Sequence, residues 1–345
     1  MKNNTPFVSV IVPVKGEERY IKGCIDSLLS LDYPKSSYEI IVVLDKKATD
    51  GVKKALKQYD GRIKVIQSKK AGSAANRNLG VKVASKKAIY FAFTDADCVV
   101  DRKWIYFLVK RMEIAEKSRL EEEKNIGCVG GLNLVPESDN RLAKTIGAIE
   151  QTIFGGGGSA QVSVLKKEKF VNSIPTCNAL YKRWVWEKFK QDEKLIVGQD
   201  GEMNYRLRKK GVNFLVIPEA IVWHHRTNTL KGFIRRMFRY GKATAKIFLK
   251  HKELKFLALR WYGLLPVLAL FALIILIAWS YFSIAAFKLL AFLIIAYAII
   301  DLITALAITA KTKSPYSLIS FFLIPMQHLL YAIGFISGLF KGWQE

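Results

Sequence analysis

Acidic residues are scarce in this chain: 29 Asp and Glu stand against 54 Lys and Arg, a formal charge of +25. That balance leaves three partner classes: nucleic acid, an anionic membrane surface, or anionic small molecules. Cysteine is also sparse. Cys24, Cys98, Cys128 and Cys177 form no pair at metal-ligand or redox spacing, which excludes a disulfide scaffold and a spaced-cysteine metal motif. They are expected to be buried free thiols in a reducing compartment. No secretory leader is expected, because the opening residues are short and polar before a strand begins. Long hydrophobic runs are absent before about residue 257 and dense after it. A chain that is 51% apolar and still 24% charged is therefore segregated into a globular part and a membrane part. Charge that accompanies membrane spans speaks against nucleic acid and for a lipid surface.

The globular part alternates strand-like and helix-like segments. Phe7 to Val14 and Glu39 to Leu44 are continuous Val- and Ile-rich runs, expected as strands buried on both faces. Between them Tyr20, Ile21, Cys24, Ile25, Leu28 and Leu29 recur at helical spacing. Asp50 is expected to cap a helix, and Ile63 to Gln67 to form a strand. Gly72 to Ala84 reads as a helix, and Ala88 to Phe93 as a strand running into Asp95-Ala96-Asp97. Further on, Ile126 to Leu132 and Asn213 to Pro218 read as strands, and Gly198 to Lys210 as a helix. The pattern predicts an α/β fold with a mostly parallel sheet flanked by helices. In such sheets ligands bind beyond the carboxyl ends of the strands, and here those ends carry Pro13, Asp45, Asp95 and Asp97. Gly155 to Gly158 is expected to be a mobile loop or a linker.

A basic amphipathic segment, 229–256, comes next. Lys231, Arg235, Arg239, Lys242, Lys246 and Lys250 share one face beside Leu230, Phe233, Ile234, Met237 and Gly241. Such a helix suits a membrane interface. Three spans are expected in 257–345, at about 264–282, 287–310 and 316–340. Trp279, Tyr281 and Tyr316 mark span ends. Lys311-Thr312-Lys313 separates spans two and three, and little charge separates one and two. Positive-inside counting puts residues 1–228 in the cytoplasm, on a protein of the cell membrane. Asp301 and His328 within the spans are expected to make interhelical hydrogen bonds.

Two carboxylates on Asp95 and Asp97 suit a nucleoside diphosphate. A divalent cation held by carboxylate can bridge diphosphate oxygens and offset charge on the leaving group. On an extended backbone both would face one side, one toward a cation and one toward a sugar or ribose hydroxyl.

Four stretches together resemble the family 2 glycosyltransferases of GT-A fold, in their cellulose-synthase-like membrane branch. They are SVIVPVKGEERYIKGCIDSLLSLDYP, EIIVVLDKKATDG, AGSAANRNLGVKVASKKAIYFAFTDADCVV and GQDGEMNYRLRKKG. The resemblance covers about residues 7–245. It implies that Pro13, Val14 and Glu17 line the nucleoside pocket, that Asp45 bonds the base, and that Arg77 approaches diphosphate or sugar. Asp95 would contact the ribose or donor sugar. Asp97 would hold Mn²⁺ or Mg²⁺ with a histidine, His224 first and His225 in reserve. Asp200 would be the catalytic base, beside Gln199 where the family usually has Glu. The Q-x-x-R-W motif of cellulose synthases aligns with Arg236, Arg239 and Tyr240. Loss of its Trp argues against a processive synthase, and the added Arg suits an acceptor phosphate.

The resemblance thus implies a metal-dependent inverting transferase. It would move a hexose from a nucleotide-sugar (GDP-mannose favoured, UDP-glucose next) to a polyprenyl-linked acceptor at the membrane lipid surface, with no role for nucleic acid. A processive synthase and a non-catalytic nucleotide-sugar-binding protein are the alternatives.

Overall fold

The structure, a computed structural model, describes residues 5–157, 165–252 and 261–340. Its elements run β1 (Val8–Val14), α1 (Ile21–Leu29), β2 (Tyr38–Leu44), α2 (Asp50–Leu56), β3 (Lys64–Gln67), α3 (Ser73–Val83), β4 (Tyr90–Thr94) and β5 (Cys98–Val100). There follow α4 (Trp104–Lys117), α5 (Glu121–Lys124), β6 (Ile126–Leu134), α6 (Arg141–Glu150), α7 (Ile153–Gly156), β7 (Lys169–Val171), β8 (Asn178–Lys182) and α8 (Arg183–Phe189). The last are α9 (Gln199–Lys209), β9 (Asn213–His224), α10 (Leu230–His251), α11 (Trp261–Ser280), α12 (Ile284–Thr312) and α13 (Ser320–Phe340). Contacts divide them into two units, Met1–Leu134 with Ala160–His225, and Val135–Ser159 with Arg226–Glu345.

The first unit is an α/β sandwich around one sheet, ordered β3-β2-β1-β4-β8-β6-β9-β5, with β7 also on β9. The expected parallel sheet is present from β3 to β4. Beyond β4 the sheet is mixed. β8 runs antiparallel to both β4 and β6, β6 and β9 are parallel, and β5 and β7 pair antiparallel with β9. Alternate residues of the buried strands serve opposite faces. Val8, Val10, Val12 and Val14 of β1 join the core under α1, α2 and α4. Ile11, Ile41 and Val43 join Trp186, Met203 and Leu207 on the other face. Full burial stabilises each such side chain by roughly 1.5–3 kcal/mol, which is why these strands read as unbroken apolar runs.

β9 is twice the expected length. Its register with β6 slips between Gly130 and Leu132. At that slip a Cβ on Gly131 would lie 1.7 Å from the Ala220 carbonyl oxygen, so only glycine fits. The buried Asn178 amide donates to the Leu132 and Ala220 carbonyls at 3.0 Å each and satisfies the backbone that the irregularity frees. Past this point β9 continues to His224 and delivers it to β5. Asp50 is the first residue of α2 rather than its cap; Thr49 holds that place, with the extended backbone a cap requires.

The second unit is helical. α11, α12 and the Pro315–Phe340 segment are each long and apolar enough to cross a membrane. Leu268, Phe271, Ile275, Phe292 and Ile303 on them are at least half exposed, as lipid-facing side chains are. The apolar and small face of α10 packs on α13. Cβ atoms on Gly241 and Gly334 would fall 2.0 and 2.1 Å from the Tyr331 and Phe238 carbonyl oxygens, so two glycines allow the backbones to meet. α6, not anticipated as a helix, belongs here. Its Ile146 and Ile149 pack with Phe233, Met237, Leu323 and Ile324. His328 bonds Tyr297 of the neighbouring helix at 2.9 Å, an interhelical bond of the expected kind, and the Phe154 carbonyl at 3.0 Å. Ile153–Gly156 is a helical turn, with Gly157 left-handed after it; Gly158 lies outside the described residues.

Candidate active site

The carboxyl ends of β1, β2 and β4 gather the acids, as a doubly covered sheet prescribes. Asp45 follows β2 and is 1% exposed. It accepts from the amides of Lys47 (2.8 Å) and Gly72 (2.6 Å) and from the Asn76 side chain (3.3 Å). Gly72 reaches it with φ +107°, open only to glycine. Asp45 thus ties the start of α3 to the end of β2, and a carboxylate with about four lone-pair sites has one left for a ligand. Pro13 and Val14 are buried, and the Val14 carbonyl accepts from the Asp45 amide at 2.7 Å. Glu17 curls over the same end, accepting from the Lys15 and Gly16 amides at 2.6 and 2.8 Å. Burial raises its pKa against those two bonds, and the charges of Asp97 and Asp95 raise it further.

Asp95 and Asp97 are not on extended backbone. β4 ends at Thr94, and the Cys98 amide donates to the Asp95 carbonyl at 3.1 Å, closing a turn. The two carboxylates therefore face different partners. Asp95 accepts from Arg77 Nη2 at 2.6 Å. The same guanidinium, 5% exposed, lies 3.8 Å from Asp200 Oδ1 through Nη1. In this structure Arg77 is the link between the D-x-D segment and Asp200, rather than a side chain open to a diphosphate. A buried guanidinium is tolerable only when paired, and its two carboxylates keep Arg77 firmly protonated against the cost of burial.

Asp200 sits in the first turn of α9, where the positive end of the helix dipole favours a carboxylate. Gly198, left-handed at φ +84°, starts that helix. Asp200 Oδ1 accepts from Gln191 Nε2 at 2.6 Å and Thr176 Oγ1 at 2.9 Å, and Oδ2 from the Thr176 amide at 3.1 Å. Gln191 is itself clamped to α3, exchanging bonds with Asn78 at 2.9 and 3.2 Å. Gln199, by contrast, is turned inward. Its amide donates to the Leu195 and Ile196 carbonyls and to Ser73, so it braces its own loop.

Asp97 faces His224. His224 Nε2 is 3.5 Å from Asp97 Oδ1, and both side chains are partly exposed. Burial opposes both charges. Even so, the pair holds Asp97 below the usual carboxylate range and His224 well above the usual imidazole range, with Cys177 adding to the latter. His225 turns elsewhere, stacking on Tyr20 at 4.3 Å. Oxygen and imidazole donors of this kind suit a divalent cation. Asp97 and His224, together with the Cys98 thiol, place their ligand atoms within 4.8 Å of one another, so the residues present fit an ion.

In the helical unit, Arg236 is engaged by Glu150 and donates to the Tyr240 hydroxyl at 2.9 Å. Arg226 shares Glu150 at 3.1 Å. Arg239 and Tyr240 are exposed.

Residues 9–118 match the model described as Glycosyl transferase family 2, and residues 140–306 that of Glycosyl transferase family group 2. The chain belongs to the family 2 glycosyltransferases. Along 97% of its length it is 28% identical to a protein of Methanococcus voltae, covering 98% of that protein. That relative is named dolichyl N-acetyl-α-D-glucosaminyl phosphate 3-β-D-2,3-diacetamido-2,3-dideoxy-β-D-glucuronosyltransferase. It is also 26% identical to Glycosyltransferase AglE of Haloferax volcanii, over 72% of this chain and 76% of that one. In fold it is similar to a mannosyltransferase from Pyrobaculum calidifontis solved with GDP-Man and Mn²⁺, at TM-score 0.63 and 18% identity, covering 94% and 88% of the two chains. The family 2 chain thus has the GT-A architecture followed by apolar helices.

Sequence reasoning missed Thr176, Gln191, Cys98 and Cys177 at this site. The thiols carried no spacing signal because His224, which both approach, comes from a strand far away in sequence. Thr176 stands in the irregular stretch before β8.

Proposed function

We propose that this glycosyltransferase moves a hexose from a nucleotide-sugar to a hydroxyl of a polyprenyl-linked acceptor, with inversion in one step. The observation that carries this reading is the Arg77 bridge: one guanidinium joins Asp95 of D-x-D to Asp200, 2.6 Å from the first and 3.8 Å from the second. It supports a donor end and a base end of one reaction path. Asp200 takes the proton from the acceptor hydroxyl, and its Gln191 and Thr176 donors hold the carboxylate in place. Asp97 and His224 would hold Mn²⁺ or Mg²⁺, which would offset charge on the departing diphosphate. Glu17 and the single remaining lone pair of Asp45 support donor contacts at the ends of β1 and β2.

A base is needed for a hydroxyl acceptor and superfluous for an ionised lipid phosphate. The Methanococcus voltae relative, whose name describes transfer to a dolichyl-linked sugar, supports the same choice. Of the basic motif on α10, Arg239 and Tyr240 are the acceptor-facing residues in this reading, since Arg236 is balanced by Glu150. The lysine and arginine stripe of α10 and the KTK turn support membrane residence with the catalytic unit on the cytoplasmic side of the cell membrane. For the donor, GDP-mannose is tested first and UDP-glucose second, and the relative's name adds an N-acetylated uronic acid donor to the screen. The test is Asp200→Asn. Transfer to a polyprenyl-linked sugar should stop while donor binding persists; transfer that survives would refute the base.

A further inference from the structure

Three of the four cysteines gather under the D-x-D turn. Cys24 Sγ donates to the Asp95 carbonyl at 3.5 Å, Cys98 Sγ lies 3.9 Å from Asp97 Oδ1, and Cys177 hydrogen-bonds with His224. Cys98 stands out among them. It pairs directly across the antiparallel β5–β9 ladder with His224, so the thiol and the imidazole project from the same face of the sheet. It also adjoins Asp97 in sequence. One Cys, one Asp and one His thus converge, with all three ligand atoms within 4.8 Å of one another.

We infer that Cys98 is a third protein ligand of the cation site, and that this site takes thiophilic divalent ions of the zinc class in preference to magnesium. The inference rests on reading Asp97 and His224 as cation ligands, and it adds a donor that the oxygen-and-imidazole pair does not supply. The distances fit it. A tetrahedral ion holding O and N at about 2.0–2.1 Å and S at about 2.3 Å spaces its ligand atoms roughly 3.3–3.6 Å apart. The Asp97–His224 edge is 3.5 Å and the Asp97–Cys98 edge 3.9 Å, each within a few tenths of an ångström of that spacing, and the Cys98–His224 edge, within 4.8 Å, closes as the two side chains turn to the ion. On coordination the Cys98 S–H bond breaks, its proton passes to water, and the sulfur lone pair forms the metal–sulfur bond; nothing is oxidised or reduced.

Magnesium gains little from sulfur, whereas zinc-class ions gain much. Geometry then separates binding from turnover. Three protein ligands leave one open position on a tetrahedral ion but three on an octahedral one. A zinc-class ion at this site would be held tightly and would engage fewer diphosphate oxygens, so it acts as a competitor of the working ion.

The experiment is cobalt titration of the full-length protein in detergent, with bound cobalt measured by equilibrium dialysis and its spectrum recorded. The expected result is saturable binding with a near-ultraviolet thiolate-to-cobalt charge-transfer band. That band is lost in Cys98→Ser and kept in Cys177→Ser. Zinc affinity should fall more than about 100-fold in Cys98→Ser, beyond the loss an outer-shell change causes, while magnesium affinity barely changes. Zinc-edge X-ray absorption of the unmutated protein covers the case in which Cys98→Ser fails to fold: a sulfur scatterer at about 2.3 Å supports the ligand, and its absence overturns it. Cobalt bound without the band would overturn Cys98 and leave the Asp97–His224 site standing. A band that survives Cys98→Ser, or vanishes in Cys177→Ser, would assign another thiol and overturn the proposal. No cobalt bound at all would bring down the cation site and the proposal together.

Discussion

Asp95 and Asp97 stand two residues apart on one turn and live in different surroundings. Asp95 belongs to a closed network, in which Arg77 holds it and lies close to Asp200, and Gln191 and Thr176 complete the Asp200 carboxylate. Asp97 belongs to an open one. Its neighbours are His224 and Cys98, groups that ligate ions. The first network fixes charges against one another. The second, in the reading proposed above, gathers donors for a cation. The lesson is that a D-x-D pair divides its work by the partners the fold brings to each carboxylate, not by the direction its backbone gives them.

Four substitutions test that division, beginning with the largest effect. Asp200→Asn should lower turnover about 10²–10⁴-fold, as expected for a lost general base, while donor affinity measured by calorimetry changes little. A parallel loss of donor binding would merge the two networks. Arg77→Met should leave the partly exposed Asp95 and Asp200 carboxylates without their shared cation and destabilise the protein by about 1–3 kcal/mol in denaturant titration. A smaller change would mean that the closed network is not structural. Asp97→Asn should spare stability but abolish saturable Mn²⁺ binding and lower kcat by about 10²–10³-fold. Gln191→Leu removes one donor to a charged group. Its expected effect is about a tenfold loss of kcat with the donor KM unchanged. A shift in KM alone would place Gln191 in the donor pocket instead.

Much of this was legible in the chain itself. Buried parallel strands announce themselves as unbroken apolar runs, so β1, β2, β4 and the acids at their ends could be placed from residue types. The spans and the small face of α10 were equally plain, because lipid and close helix packing restrict composition. What the sequence hid is what depends on long-range pairing. β8 is a five-residue strand with no distinctive pattern, and it turns the sheet from parallel to mixed. The prolongation of β9 depends on Gly131 and Asn178, far away in sequence, and without it His224 would not meet Asp97. The turn at Asp95 is closed by the Cys98 amide and held from a distance by the His225 amide on the Asp97 carbonyl. One local signal was present and unread: Asn140 before Leu142, Ile146 and Ile149 marks the cap and apolar face of α6, and its side chain accepts from the Ala143 amide.

The most direct measurement is release of nucleoside diphosphate by the purified protein in liposomes carrying a polyprenyl-linked sugar, with each donor, with Mn²⁺ or Mg²⁺, and with chelator. Release that requires both acceptor and cation, and that Asp97→Asn and Asp200→Asn each abolish, is the expected result. Release undiminished by chelator would contradict the role given to Asp97 and His224, and with it the division between the two acids.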